Sequence, residues 1–118
     1  MGWEVYPAGF RSQLERVRSV GLPIYITENG IATADDAQRL RFLISHLSIL
    51  KEAIDDGVDV RGYLHWSAFD NFEWAHGYAP TFGLIEVDRT TMSRTVRPSA
   101  QAYARLIRTG SLAALSQG

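Results

Sequence analysis

Three stretches of the chain carry apolar residues at helical spacing, and between them lie short runs with the character of strands. Phe10, Leu14 and Val17 recur every three to four residues after Pro7, which suits a first helical turn, and they predict a helix closed by Gly21. Pro23 then prevents its return, and Ile24-Tyr25-Ile26-Thr27 reads as a buried strand running into Glu28-Asn29-Gly30, a tight polar turn. Leu40, Leu43, Ile44, Leu47, Leu50 and Ile54 mark a longer helix. Thr33 with Asp36 three residues on resembles a capping box at its start, and Gly57 ends it. A second strand follows over Val60 to Trp66, a third over Phe82 to Asp88, and a last helix from Pro98 through Ala100, Tyr103, Leu106 and Ile107 to Gly110. Ser111 to Gly118 reads as a frayed tail.

A helix between two strands is a βαβ unit, and such units almost always hold parallel strands joined by a right-handed crossover. The fold class expected is therefore α/β. No internal repeat, linker or domain boundary interrupts the chain. With 118 residues it has room for one ordinary domain, whereas a complete eight-stranded barrel needs about 250 residues.

Composition narrows the chemistry. Hydrophobic residues at 46% and charged ones at 21% are ordinary globular values and argue against disorder. A net charge of −1, with the arginines scattered, makes nucleic acid a poor partner. The absence of cysteine excludes disulfides and thiolate metal sites. No apolar run approaches the length of a membrane span, and the first residues lack a signal peptide's basic start and apolar stretch, so a cytoplasmic setting without membrane partners is expected.

The chemistry concentrates at two strand ends. Glu28 sits where an apolar strand meets solvent, a costly place for a carboxylate unless partners compensate it; strand-end glutamates that are merely solvated are also common. The second strand leads into Ser67 to Tyr78, dense in aromatics, carboxylates and amides. Ligands of parallel α/β folds bind at the carboxyl ends of the strands, which puts Glu28, Trp66, Asp70, Glu73 and Trp74 on one rim. Indole faces stack on the C–H faces of sugar rings while carboxylates and indole N–H groups hydrogen-bond hydroxyls, so the mixture suits a carbohydrate. An aromatic mini-core propping a long loop accounts for the same composition. No P-loop or dinucleotide glycine motif is present, so no cofactor is expected. His46 and His65 read as packed or hydrogen-bonded side chains, without a second ligand at zinc spacing.

Ile26-Thr27-Glu28-Asn29-Gly30 and Trp66-Ser67-Ala68-Phe69-Asp70-Asn71-Phe72-Glu73-Trp74 together resemble the nucleophile motif and sugar-binding loop of glycoside hydrolase family 1, the β-glucosidases and related retaining β-glycosidases. The likeness runs from Gly2-Trp3-Glu4-Val5-Tyr6-Pro7 to Ser99-Ala100-Gln101-Ala102-Tyr103 and matches the family's C-terminal part. It implies a piece of a TIM (β/α)8 barrel, residues 1–118, carrying strands seven and eight of one glycosidase domain. Carried over, Glu28 is the nucleophile, with hydrogen-bond partners keeping it ionised. Glu73 and the Trp74 indole N–H bind glycone hydroxyls, Trp66 is the platform beside the cleaved bond, and Phe82 lines the pocket. A non-proline cis peptide is implied between Trp66 and Ser67. His76 and Thr81 depart from the family pattern, which bears on subsite detail and glycone preference.

Retaining hydrolysis needs two carboxyl groups, one to attack and one to protonate the leaving oxygen. The family's acid/base lies in an Asn-Glu-Pro motif that this sequence does not contain, and the resemblance assigns Glu73 to the glycone and Asp70 to the loop. The 118-residue chain alone is therefore expected to be inactive, a fragment whose partners are a β-glycoside or oligosaccharide and either the missing barrel strands or further copies of itself. A non-catalytic carbohydrate-binding module and a barrel-complementing piece are the other readings.

Overall fold

The computed structural model describes residues 2–115. It contains helix α1 (Pro7–Arg18), strand β1 (Ile24–Asn29), helix α2 (Asp36–Asp55), strand β2 (Val60–His65), the short strands β3 (Ile85–Val87) and β4 (Arg94–Val96), and helix α3 (Pro98–Thr109). Single 3-10 turns occupy Trp74–His76 and Leu112–Leu115. As the βαβ pattern predicts, β1 and β2 are parallel, with Ile24 opposite Val60 and Asn29 opposite His65.

The core lies between this two-stranded sheet and the helices. Ile24 and Ile26 on β1 meet Leu43, Leu47, Leu50 and Ala53 on α2, Leu14 on α1 and Ala102 on α3. Each large aliphatic side chain fully buried there contributes roughly 1.5 to 3 kcal/mol. The opposite face of the sheet is uncovered: Tyr25 is 63% and Leu64 62% exposed.

Several boundaries differ from the sequence reading. The N-cap of α2 is Asp35, whose side chain accepts from the Ala37 N–H, so the helix is not capped by Thr33. Asp36 instead reaches across to α3, accepting from the Ser99 N–H at 2.8 Å and the Ser99 hydroxyl at 2.6 Å. It thereby satisfies an N-terminal donor of α3, whose own N-cap, Arg97, makes no side-chain cap. Val17, Ile54 and Ile107 keep helical spacing but lie at the solvent edge of their stripes. The second strand stops at His65, and the third is confined to Ile85–Val87, paired antiparallel with β4, which the sequence pattern did not reveal. The expected frayed tail is folded as far as Leu115: Ala114 and Leu115 are buried against the core helices. Residues 116–118 lie outside the described residues.

Candidate active site

Strict alternation along β1 would place residue 28 on the same face as Ile24 and Ile26, buried against the helices. The pairing shifts between Ile26 and Asn29, so three residues of β1 advance against two of β2. An extra residue of this kind turns the following side chains, a device frequent beside functional sites. Here Thr27 and Glu28 are both exposed, and Glu28 lines a cleft above the strand ends.

That cleft encloses about 650 Å³ and brings together Glu28, Trp66, Glu73, Trp74 and Phe82, five of the six residues expected there; Asp70 is the exception. Trp3, Asn29, Gly30, Asn71 and Phe72 complete its wall. Trp3 was not picked out in sequence. It lies far along the chain from the other site residues, yet its ring sits 6.1 Å from that of Phe82. A usable signal was the tryptophan count, since the chain has three and all of them line this cleft.

Local bonds hold the polar groups in place. Glu73 accepts from the Asn71 amide at 2.8 Å, and the Asn71 carbonyl accepts from the Ser67 hydroxyl at 3.2 Å. Asn29 accepts from the Tyr63 hydroxyl at 2.9 Å, a phenol whose ionisation burial opposes, with Tyr103 adding to the effect. The Glu28 carboxylate makes no hydrogen bond among the described residues, so the hydrogen-bond partners expected for it are not among them. Trp74 starts a 3-10 turn with φ of 46° and stands 82% exposed at the cleft mouth.

Two backbone features fix the rim. The Trp66–Ser67 peptide is cis, as the resemblance implied. Gly30 packs directly against the Trp66 carbonyl, leaving no room for a Cβ. Asp70 lies outside the cleft. It forms a buried two-point pair with Arg97, at 3.1 and 2.9 Å, and accepts from the Gly83 N–H at 2.8 Å. Burial works against its charge, but Arg97 and the Gly83 N–H outweigh this and hold its pKa below the usual carboxylate range.

The histidines stand apart. His46 is buried, stacked on Phe42 at 3.8 Å, with Nδ1 3.0 Å from the Phe42 carbonyl. His65 is pushed down to about 4 by burial and then by the Arg39 guanidinium, and neither of its buried ring nitrogens has a hydrogen-bond partner among the described residues. His76 is exposed and lines a smaller cavity of about 440 Å³ with Trp3, Ala79 and Pro80. No group of three or more metal-ligating side chains is assembled among the described residues, and no helix among them is long and apolar enough to cross a membrane.

A sequence model of glycosyl hydrolase family 1 matches residues 1–111. The chain belongs to glycosyl hydrolase family 1. It is 45% identical over 112 residues to a β-galactosidase of Sulfolobus acidocaldarius, covering 94% of this chain and 23% of that one. To β-glucosidase A of Thermotoga maritima it is 38% identical, covering 95% of this chain and 28% of that one. Among solved structures, a β-glycosidase from Pyrococcus horikoshii superimposes with a TM-score of 0.91 at 51% identity, over 92% of this chain and 26% of that one. A Thermotoga maritima β-glucosidase in complex with glucoimidazole gives 0.88 at 39% identity, over 92% and 27%. This family 1 chain thus spans about a quarter of the length of its relatives, and its fold is the C-terminal portion of their TIM barrel.

Proposed function

We propose that this chain supplies the nucleophile and glycone-binding rim of a retaining β-glycosidase whose remaining barrel strands and acid/base lie outside it. The observation that carries this reading is the convergence of Glu28 with three indoles and Glu73 on one cleft. The Glu28 carboxylate attacks the anomeric carbon as the bond to the aglycone oxygen breaks. That oxygen takes a proton from the second carboxyl group, contributed by the rest of the barrel, and water later releases the sugar from Glu28. Glu73 accepts from glycone hydroxyls, the Trp74 indole N–H donates to another, and the faces of Trp66 and Phe82 cover the apolar side of the ring. Residues 1–118 act as one C-terminal unit of a single barrel domain. Relatives named for β-galactosidase, β-glucosidase and β-D-fucosidase activity share the linkage and not the glycone, which supports assignment at the level of the β-glycosidic bond.

Co-expressing the chain with strands one to six of the Sulfolobus acidocaldarius relative tests this. Turnover of 4-nitrophenyl β-D-glucoside or β-D-galactoside is expected from the completed barrel and not from the chain alone. Glu28→Gln should lower it by at least about a thousandfold. Turnover undiminished by that substitution removes Glu28 from its role, and robust turnover by the chain alone removes the need for an outside acid/base.

The bare sheet face supports the partner. Tyr25 and Leu64 lie on the face that looks into the interior of a closed barrel, and among the described residues both outer edges of the β1–β2 pair are unpaired.

A further inference from the structure

Arg39, on α2, does not line the cleft, yet it is fully buried. Its Nη1 donates to Asp36 at 2.7 Å, while Nη2 donates both to the Thr33 carbonyl and, at 2.8 Å, to the Thr81 carbonyl. Those two threonines are themselves joined: the Thr33 N–H donates to the Thr81 carbonyl at 3.0 Å, and the Thr81 hydroxyl donates to the Thr33 carbonyl at 2.9 Å. Thr33 ends the segment that begins at Glu28 and Gly30, and Thr81 directly precedes Phe82. Asp36 is tied in turn to the first turn of α3 through Ser99.

A buried guanidinium is a poor way to gain stability, because desolvation offsets most of its Coulombic gain and an apolar replacement is often neutral. What the planar fork does well is fix the separation of two carbonyls. Arg39 thus bonds one carbonyl three residues beyond Gly30 and one directly before Phe82, and Gly30 and Phe82 both line the cleft. We infer that Arg39 is a positioning residue, a clasp that sets the spacing between the Glu28–Gly30 rim and Phe82. The clasp stands on its own geometry; its bearing on sugar binding rests on the function proposed above.

The test uses the chain with Arg39→Met, which keeps the volume and removes the fork, and follows amide exchange and the indole N–H resonances. Exchange at the Thr33 and Ser67 amides, bonded to the Thr81 and Phe82 carbonyls, should accelerate at least about tenfold relative to amides of Leu43 and Ala53 in α2. The Trp3 indole, beside Phe82, should shift. Because the chain has no cysteine of its own, adding Thr33→Cys and Thr81→Cys creates a single reversible link. Oxidation should restore slow exchange and the original Trp3 signal, and reduction should lose them again. Equal acceleration at clasp and α2 amides, or an oxidised pair that restores neither readout, overturns the proposal. If Arg39→Met does not fold, Arg39→Lys keeps the charge but loses the planar fork and should give the same pattern at smaller amplitude; no acceleration there overturns the proposal equally. D-glucose titration of the unmodified chain separates the two claims, since indoles unmoved by sugar weaken the carbohydrate reading while the exchange data still decide Arg39.

Discussion

Asp70 and Arg97 show how much one pair of residues holds. Their side chains are about a tenth exposed, so removing one partner strands the other charge away from water, a loss of about 3 to 5 kcal/mol. Arg97→Met should lower stability by that amount in urea denaturation, with the Gly83 N–H bond to Asp70 as the remaining support; a change below about 1 kcal/mol would show the pair to be solvated. His65 gives a pH dependence of definite sign. Its folded pKa of about 4 lies below the unfolded value, so the unfolded chain binds the extra proton between about pH 6.5 and 4. Stability is therefore full above about pH 6.5 and falls as the pH drops through that window, with His46, also lowered by burial, acting in the same direction. Denaturation midpoints measured from pH 7 to pH 4 should decline, and His65→Phe should flatten the decline. Glu28 was legible at this scale from its neighbours, because an acid after Ile24-Tyr25-Ile26-Thr27 stands out. Arg39 was not, because one arginine on a helix looks like any solvated one until its partners are seen.

At the level of elements, α2 and the β1–β2 pair could be read from periodicity because each buries a face that the pattern must honour. The β3–β4 hairpin could not: β4 is three residues long and exposed throughout, so it writes no apolar alternation into the sequence. The cap of α2 was misplaced by two residues for a related reason. Thr33, Asp35 and Asp36 are all chemically able to cap, and only the folded chain assigns Asp36 to α3 and Thr33 to the clasp with Thr81. The bulge in β1 was equally silent in sequence, although it decides which way Glu28 faces. Gly30 gives the sharpest test here. Any side chain overlaps the Trp66 backbone, so Gly30→Ala must push the end of β2 away from the loop after Glu28. Circular dichroism should show α2 retained, while the Trp66 fluorescence shifts and the stability falls by roughly 1 to 3 kcal/mol, the range for overpacking.

For the whole molecule, the sheet has one face in the core and one in water. Tyr25 and Leu64 on the bare face, with two strand edges open among the described residues, predict self-association at micromolar concentrations. Sedimentation velocity should show it, and Tyr25→Lys should reduce it; a monodisperse monomer at high concentration would contradict the expectation. The α/β class was readable from the βαβ order and the barrel from the resemblance carried by the two motifs, whereas the incompleteness was readable from the length and the missing Asn-Glu-Pro motif.

Trp74 leaves four-fifths of its surface to solvent, at the mouth of a cleft that has a floor and one wall. A monosaccharide resting there keeps much of its hydration shell, far from the 70 to 90% enclosure by which binding pockets usually grip a small molecule. Any affinity measured on this polypeptide by itself should accordingly sit in the millimolar range or weaker, near 4 kcal/mol of binding free energy. Tightening by several orders of magnitude once the opposite wall is supplied would then measure how much of the grip belongs to closure.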